Sequence, residues 1–488
     1  MKNLDELLHE ARRLQQSGRL EEAGDACREL LRRKPNDANV VGLLARIRAG
    51  QQRWPEALAQ AEKAARIEPG NASFHFQHAL ALIALDRRTE AREALRRVCK
   101  LDLKFPRARS LLAQLSMEAC DWRDFDRHEA DLVALAPDRE AGADPFILLQ
   151  LSDDPAAHLA CARNFIAGAL SRFGSAIPAV PFEHSPVESI TKIRVGYLSG
   201  DFRNHPTTHL IAELIELHDR SQFEVVGLST GPSDGTPYRE RIEKAFDRFV
   251  DAVDWQLNEF AQRLAALKLD ILVDLSGYTK TSLQPFLSSR PAPVQANYLG
   301  YPGTTGADFI DYCIVDSFVV PPAEVGHYSE SLVYLPGCYQ VSDRKRPVAL
   351  NAPARADHGL PASGFVFCCL VNAARISPNV FDIWMRLLGA VSGSVLWLLE
   401  QSPETSQNLR REAAARRIDG DRLIFAPKLP LAEHLARLPL ADLALDTFPY
   451  NGHTNTNDLL WMGVPIVTTA GRSFAARAAG SILTAHGF

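Results

Sequence analysis

The residues best placed to do chemistry fall in four short stretches, each following a run of apolar residues. In LDTFPYNGHTNTNDLLWMGVP, residues 445–465, a strand is expected to end at Asp446. A polar turn then holds Asn451, Gly452 and His453, and a helix is expected from Thr454. Backbone N–H groups at such a start, together with the macrodipole, favour a diphosphate. Thr454 and Asn455 add side-chain donors, and Asp458, one turn in, is suited to accept from a ribose hydroxyl. A capped helix after an ordinary βα loop is the plainer account, and it stays open at this point.

In SGDFRNHPTTHL, 199–210, His205 precedes Pro206 at an expected helix start and His209 follows one turn later. A histidine at the carboxyl end of a strand faces the cleft of an α/β fold, where it serves as base or donor, or simply as the helix cap. LVNAARISP, 370–378, ends a strand with Arg375 just before a helix, a cation suited to neutralise a leaving diphosphate. RPAPVQANYLGYPGTTGADFIDY, 290–312, carries Gly300, Gly303 and Gly306, which let backbone approach a sugar closely.

Other chemistries are disfavoured. No GxxxxGK[ST] or GxGxxG motif occurs, and GYPGTTG at 300–306 has different spacing, which argues against ATPases and dinucleotide oxidoreductases. The DxD pairs Asp124–Asp126 and Asp419–Asp421 read as solvated charge, not a metal–diphosphate handle. The 54 basic and 59 acidic residues leave a charge of -5, so nucleic acid is not an expected partner. No apolar run is long enough to span a bilayer, and MKNLDELLHEARRL has no apolar signal core; a cytoplasmic protein without a membrane partner is expected. The eight cysteines form no CxxC pair and read as buried, reduced thiols.

The elements that position these stretches follow from periodicity. Ala23, Ala57 and Ala91 recur every 34 residues with Phe125 next in phase, Pro35, Pro69 and Pro137 keep the same ruler, and so do Leu20, Trp54 and Trp122. This is the tetratricopeptide period, in which a small residue lets two helices pack closely and proline follows the second. Residues 1–138 are expected to form an α-helical solenoid of three good repeats and one degenerate one, a partner-binding groove or a spacer array. Residues 139–190 read as a helical linker, with a helix starting at Asp153–Pro155 and a proline-rich stretch at 177–190. Strands and helices then alternate, predicting two Rossmann-like lobes over 191–355 and 356–488 with a cleft between them.

Together the repeats, VGYLSGDFRNHPTTHL, VDLSGYTK, RPAPVQANYLGYPGTTGADFIDY, YSESLVYLP and LDTFPYNGHTNTND resemble the protein O-GlcNAc transferase and SPINDLY family over nearly the whole chain from Ile193, plus the repeats. The resemblance implies a two-lobed GT-B fold and an inverting, metal-independent glycosyltransferase with no cofactor beyond its nucleotide-sugar donor. It implies UDP-GlcNAc as donor, Ser or Thr of a protein as acceptor, and acceptor recruitment by the repeats. It places His205 beside sugar and acceptor as a general-base candidate, Leu299 and Gly300 beside the sugar, and His453 and Thr454 in the diphosphate turn. It also places Asp458 on the ribose and His434 and Arg437 around the base. The chain departs from the family pattern where Lys is replaced by Arg375, Gln by Asn372, the second Thr of the turn by Asn455, and a Lys by Leu431, with Lys428 three residues earlier. It ends at Phe488, where relatives continue, so an incomplete C-terminal lobe is expected. GDP-fucose transfer and a catalytically impaired repeat scaffold are the alternatives left open.

Overall fold

The computed structural model describes residues 4–105, 107–140, 142–173, 177, 192–279 and 282–488. The stretch 178–190, read as linker, lies outside them. The chain divides into two compact units, Met1–Ser116 and Met117–Phe488.

The first unit is built of helix pairs: α1 (Leu4–Gln16) with α2 (Leu20–Arg33), α3 (Ala38–Gly50) with α4 (Trp54–Ile67), α5 (Ala72–Ala84) with α6 (Arg88–Leu101), then α7 (Ala108–Glu118). The 34-residue ruler reappears as structure. Leu20, Trp54 and Arg88 each open the second helix of a pair, and the in-phase Ala23, Ala57 and Ala91 are wholly buried where the pairs close. Asp37 and Asn71 cap α3 and α5 by accepting backbone N–H groups, which satisfies donors the helix leaves orphaned. No repeat hides its own apolar face. Leu14, Leu30, Leu43 and Ile47 share one core, and Leu58, Leu82, Leu95 and Leu112 the next.

The larger unit opens with α8 (Phe125–Leu135), α9 (Pro145–Leu151) and α10 (Pro155–Phe173). Two all-parallel sheets follow. The first lobe contains β1 (Ile193–Ser199), α11 (Pro206–Glu216), β2 (Phe223–Ser229), α12 (Pro237–Ala245), β3 (Arg248–Asp251), α13 (Leu257–Ala265), β4 (Ile271–Asp274), β5 (Val294–Asn297), β6 (Tyr312–Val315) and β7 (Ser331–Tyr334). Helix α12 stops at Ala245, and Arg248–Asp251 then pair as β3 beside β2. The second lobe contains β8 (Val366–Cys369), α14 (Pro378–Ala390), β9 (Val395–Leu399), α15 (Pro403–Ala415), β10 (Leu423–Ala426), α16 (Leu431–Arg437), β11 (Leu443–Leu445), α17 (Thr454–Trp461), β12 (Ile466–Val467) and α18 (Ala478–Ala485).

Strand order is what turns these elements into a site. The sheets run β3-β2-β1-β4-β5-β6-β7 and β10-β9-β8-β11-β12. In each, order reverses beside the lobe's first strand, between β1 and β4 and between β8 and β11. A parallel sheet opens a crevice at the carboxyl ends of such a pair, because the flanking helices leave on opposite faces. The loops there are those carrying His205, Arg375 and His453.

Three features join the lobes. Asp153, just before α10, accepts from the backbone N–H of Arg472 and of Ser473, both at 2.8 Å. Leu149, Ala162 and Ile166 of α9 and α10 share a core with Leu198 of the first lobe and Tyr450 of the second. Helix α18 returns to the first lobe, where Ser481 bonds buried Asp316 and Arg477 bonds the Phe318 carbonyl. All eight cysteines are free, and seven are buried. No helix among the described residues is long and apolar enough to cross a membrane.

Candidate active site

Between the lobes lies a cavity of about 560 Å³. The first lobe lines it with Asn204, Pro206 and His209, the second with Lys428, His434, Arg437, Thr454, Asn455 and Asp458; Arg346 lies on the segment between them. Five residues expected in the site from sequence, His434, Arg437, Thr454, Asn455 and Asp458, thus meet in one cavity. His205, Arg375, His453, Asn372, Leu299 and Gly300 stand in the loops around it.

The turn before α17 is held from beneath. The carboxylate of Asp446 accepts from the N–H of Thr447 and of Gly452 and from the Thr468 hydroxyl. Burial pushes its carboxyl up to about 6, against these bonds and the Arg375 charge. A Cβ at Gly452 would press on Thr456 Oγ1 and Asp446, so glycine is required by close packing there. The turn delivers Thr454 to the first position of α17, facing the cavity. Asn455 donates to the Leu370 carbonyl at the end of β8, which ties α17 to the neighbouring strand.

His453 sits at the cap position. Its ring stacks nearly parallel on Tyr450, and its Nδ1 lies 3.2 Å from the Tyr339 hydroxyl. Burial and then the Arg375 charge depress its pKa to about 3, so it is a neutral imidazole at physiological pH. Arg375 closes the short 3₁₀ turn after β8, donates to the Asn451 carbonyl at 3.3 Å and lies over the Tyr450 ring. Asn372 is committed locally, its carboxamide oxygen accepting from the Ala374 N–H at 2.9 Å.

Around the far end of the cavity, Arg437 is buried over Trp397 and donates to the Pro427 carbonyl and to His434 Nδ1. The His434 lone pair at Nδ1 is therefore occupied, and its Nε2 carries the proton. Burial and the Arg437 charge lower its pKa to about 4. Lys428 makes no hydrogen bond or ion pair among the described residues and is an exposed cation on the rim.

His205 caps α11: its Nδ1 accepts from the Thr207 N–H at 3.3 Å, and its Nε2 lies 3.8 Å from Asp201. The ring therefore offers a proton at Nε2 and no free lone pair. Acting as a base would require it to leave the cap. His209, one turn on, bonds Asn204 and packs against Tyr238, and burial lowers its pKa to about 4. Leu299 adopts φ 71°, and a Cβ at Gly300 would collide with the Leu275 carbonyl, so this loop is pressed against the end of β4.

Sequence reasoning missed the segment 339–346, which straps the cleft. Ser342 bonds Asn457 of α17, and Arg344 pairs with Glu213 of α11. Asp343, fully buried, pairs with Arg241 of α12. Arg346, almost wholly buried, pairs with Asp458 and lies over Trp461. The only hint in the sequence is the charge run DRKR, which also fits a solvated loop.

The site is thus a double Rossmann-like unit with basic side chains and two helix starts around an interlobe cavity. Comparison with known proteins shows the family to which this architecture belongs. Residues 119–350 and 345–488 match glycosyl transferase family 41, and residues 48–115 match a tetratricopeptide repeat family. The chain belongs to glycosyl transferase family 41. It is 38% identical over 355 residues to the Arabidopsis thaliana protein named probable UDP-N-acetylglucosamine–peptide N-acetylglucosaminyltransferase SEC, covering 70% of this chain and 35% of that one. It is 26% identical over 489 residues to the Caenorhabditis elegans UDP-N-acetylglucosamine–peptide N-acetylglucosaminyltransferase, covering 75% and 42%. The chain thus spans less than half the length of these curated relatives. A solved mutant of Thermobaculum terrenum O-GlcNAc transferase superposes with a TM-score of 0.66 at 28% identity, covering 100% of this chain and 87% of that one.

Proposed function

We propose that the protein transfers N-acetylglucosamine from UDP-GlcNAc to Ser or Thr hydroxyls of protein acceptors, with inversion and without a metal. The observation that carries this is the interlobe cavity, where the α17 start and five basic side chains or imidazoles (His209, Arg346, Lys428, His434, Arg437) meet. The diphosphate sits against Thr454, Asn455 and the N–H groups of α17, and the ribose on Asp458. The base lies between Lys428, His434 and Arg437. The acceptor oxygen attacks the anomeric carbon from the side opposite the diphosphate. Charge then grows on the leaving oxygen, and Arg375 and the helix start stabilise it, which is usually the largest catalytic contribution. His205 positions the acceptor through Nε2–H, and the repeats recruit the acceptor protein.

Thermal unfolding with UDP, GDP, UDP-GlcNAc and GDP-fucose tests this reading. A ligand bound only by the folded state adds about 2.7 kcal/mol at a hundredfold excess over its Kd. Selective stabilisation by the uridine compounds is expected, followed by transfer that Arg375→Ala lowers about 10²–10³-fold. A preference for the guanosine compounds would move the donor to GDP-fucose, and no response to any nucleotide would refute transferase activity.

A further inference from the structure

Arg375 stands where the family resemblance leads one to expect an ammonium. A guanidinium is planar, and where it points is decided by what its face rests on. Its central carbon lies 4.3 Å from the centroid of the Tyr450 ring. One edge donates to the Asn451 carbonyl, and its other N–H groups bond no described residue. The same Tyr450 ring stacks on His453, centroids 5.0 Å apart and planes 19° from parallel. Tyr450 itself is fixed: it is 4% exposed, its carbonyl accepts from Thr447, and Phe146 packs edge-on against it. One rigid aromatic ring therefore sets the orientation of the cation after β8 and of the imidazole before α17, two groups that sequence places far apart.

We infer that Tyr450 is a positioning residue which holds Arg375 and His453 against the same diphosphate, and that it makes a guanidinium workable at this position. The inference rests on the proposed nucleotide-sugar site. Packing the face of the guanidinium on the ring leaves its N–H edge for phosphate oxygens. Burial, with the nearby Arg375 charge adding to it, keeps His453 neutral, so the imidazole adds a hydrogen bond without taking up a proton.

A double-mutant cycle on the full chain tests it, with UDP affinity by calorimetry and kcat and KM for transfer. Tyr450→Leu is expected to weaken UDP about tenfold and lower kcat more than it raises KM. In an Arg375→Ala background the same change is expected to cost clearly less than in wild type, because only the placement of His453 is then left to lose. Tyr450→Phe, which keeps the ring face, is expected to rescue most of the loss. Equal losses in both backgrounds would mean that Tyr450 only packs the core, and would overturn the proposal. Arg375→Lys leaves that core untouched; it is expected to lower kcat about tenfold, and wild-type transfer by it would also overturn the proposal. The titration of His453, followed by NMR without nucleotide, gives a readout independent of activity. The groups facing it are Arg375, Tyr339, Tyr450 and the Ala475 carbonyl. Its pKa should rise in Arg375→Ala and in Tyr450→Leu, and an unmoved titration would refute the placement. If the wild-type chain binds no UDP or UDP-GlcNAc, the transferase reading fails while this titration still decides the role of Tyr450.

Discussion

Replacing Arg346 by Met should destabilise the larger unit in a way that depends on pH and is reversed by a second change. The guanidinium is 1% exposed and forms the ion pair of Asp458, whose side chain is 10% exposed. Burial already raises the Asp458 carboxyl above its ordinary range, and Arg346 is what holds it down. Met fills the stem volume but leaves the carboxylate buried without a partner, a situation that costs about 3–5 kcal/mol. A cooperative unit of this size has an unfolding entropy of roughly 0.8 kcal/mol/K, so the midpoint should fall by roughly 4–6 °C. The folded pKa of Asp458 is then raised further, so this contribution to stability is lost as pH rises through it. The gap between variant and wild type should accordingly be larger at pH 8 than at pH 5.5. Arg346→Met with Asp458→Asn removes the stranded charge and should recover to within about 1 kcal/mol of wild type. Because Asp458 is assigned to the ribose, the double variant should still bind UDP weakly. Differential scanning calorimetry at two pH values, with UDP titrations, checks each step. A single variant that melts within a degree of wild type at pH 8, or a double variant no better than the single, would refute the reasoning.

Two further outcomes are expected. His205→Asn retains a side chain able to cap α11, so its melting point should match wild type, while transfer falls about 10–100-fold as acceptor placement is lost; unchanged turnover would make His205 a cap alone. Acidification should destabilise the larger unit between pH 6.5 and about 4: burial depresses His158, His209 and His434 to about 4 and His453 to about 3, so the unfolded chain takes up protons first. Asp274 and Asp446, raised to about 6 by burial, act in the opposite sense over part of that range, since their contribution is lost as pH rises through 6. Four histidines with larger shifts outweigh two carboxyls, and a melting point that is flat or rising toward pH 4.5 would contradict this balance.

The sequence by itself determined whatever is local. The 34-residue ruler set the helix pairs, because close packing needs a small residue once per pair. The apolar runs set the strands. The pair Ser377–Pro378 is a local helix-start signal, and the serine hydroxyl accepts from the Val380 N–H at the start of α14. The turn before α17 was legible for the same reason: glycine, polar residues and a helix start within one βα loop. Only the tertiary structure decided the order of the strands, because β1 pairing with β4 and β8 with β11 depends on how crossovers pack and not on any local pattern. That order is what brings His205, Arg375 and His453 around one cavity. It also decided which atoms remain available. His205 spends Nδ1 on its own helix, Asn372 spends its oxygen on the next turn, and Arg437 occupies the Nδ1 of His434. The partners of Arg346 and Arg375, Asp458 and Tyr450, lie far along the chain, 112 residues away for Arg346. Charge and aromatic contacts over such separations carry no periodic signal, so only the folded chain reveals them.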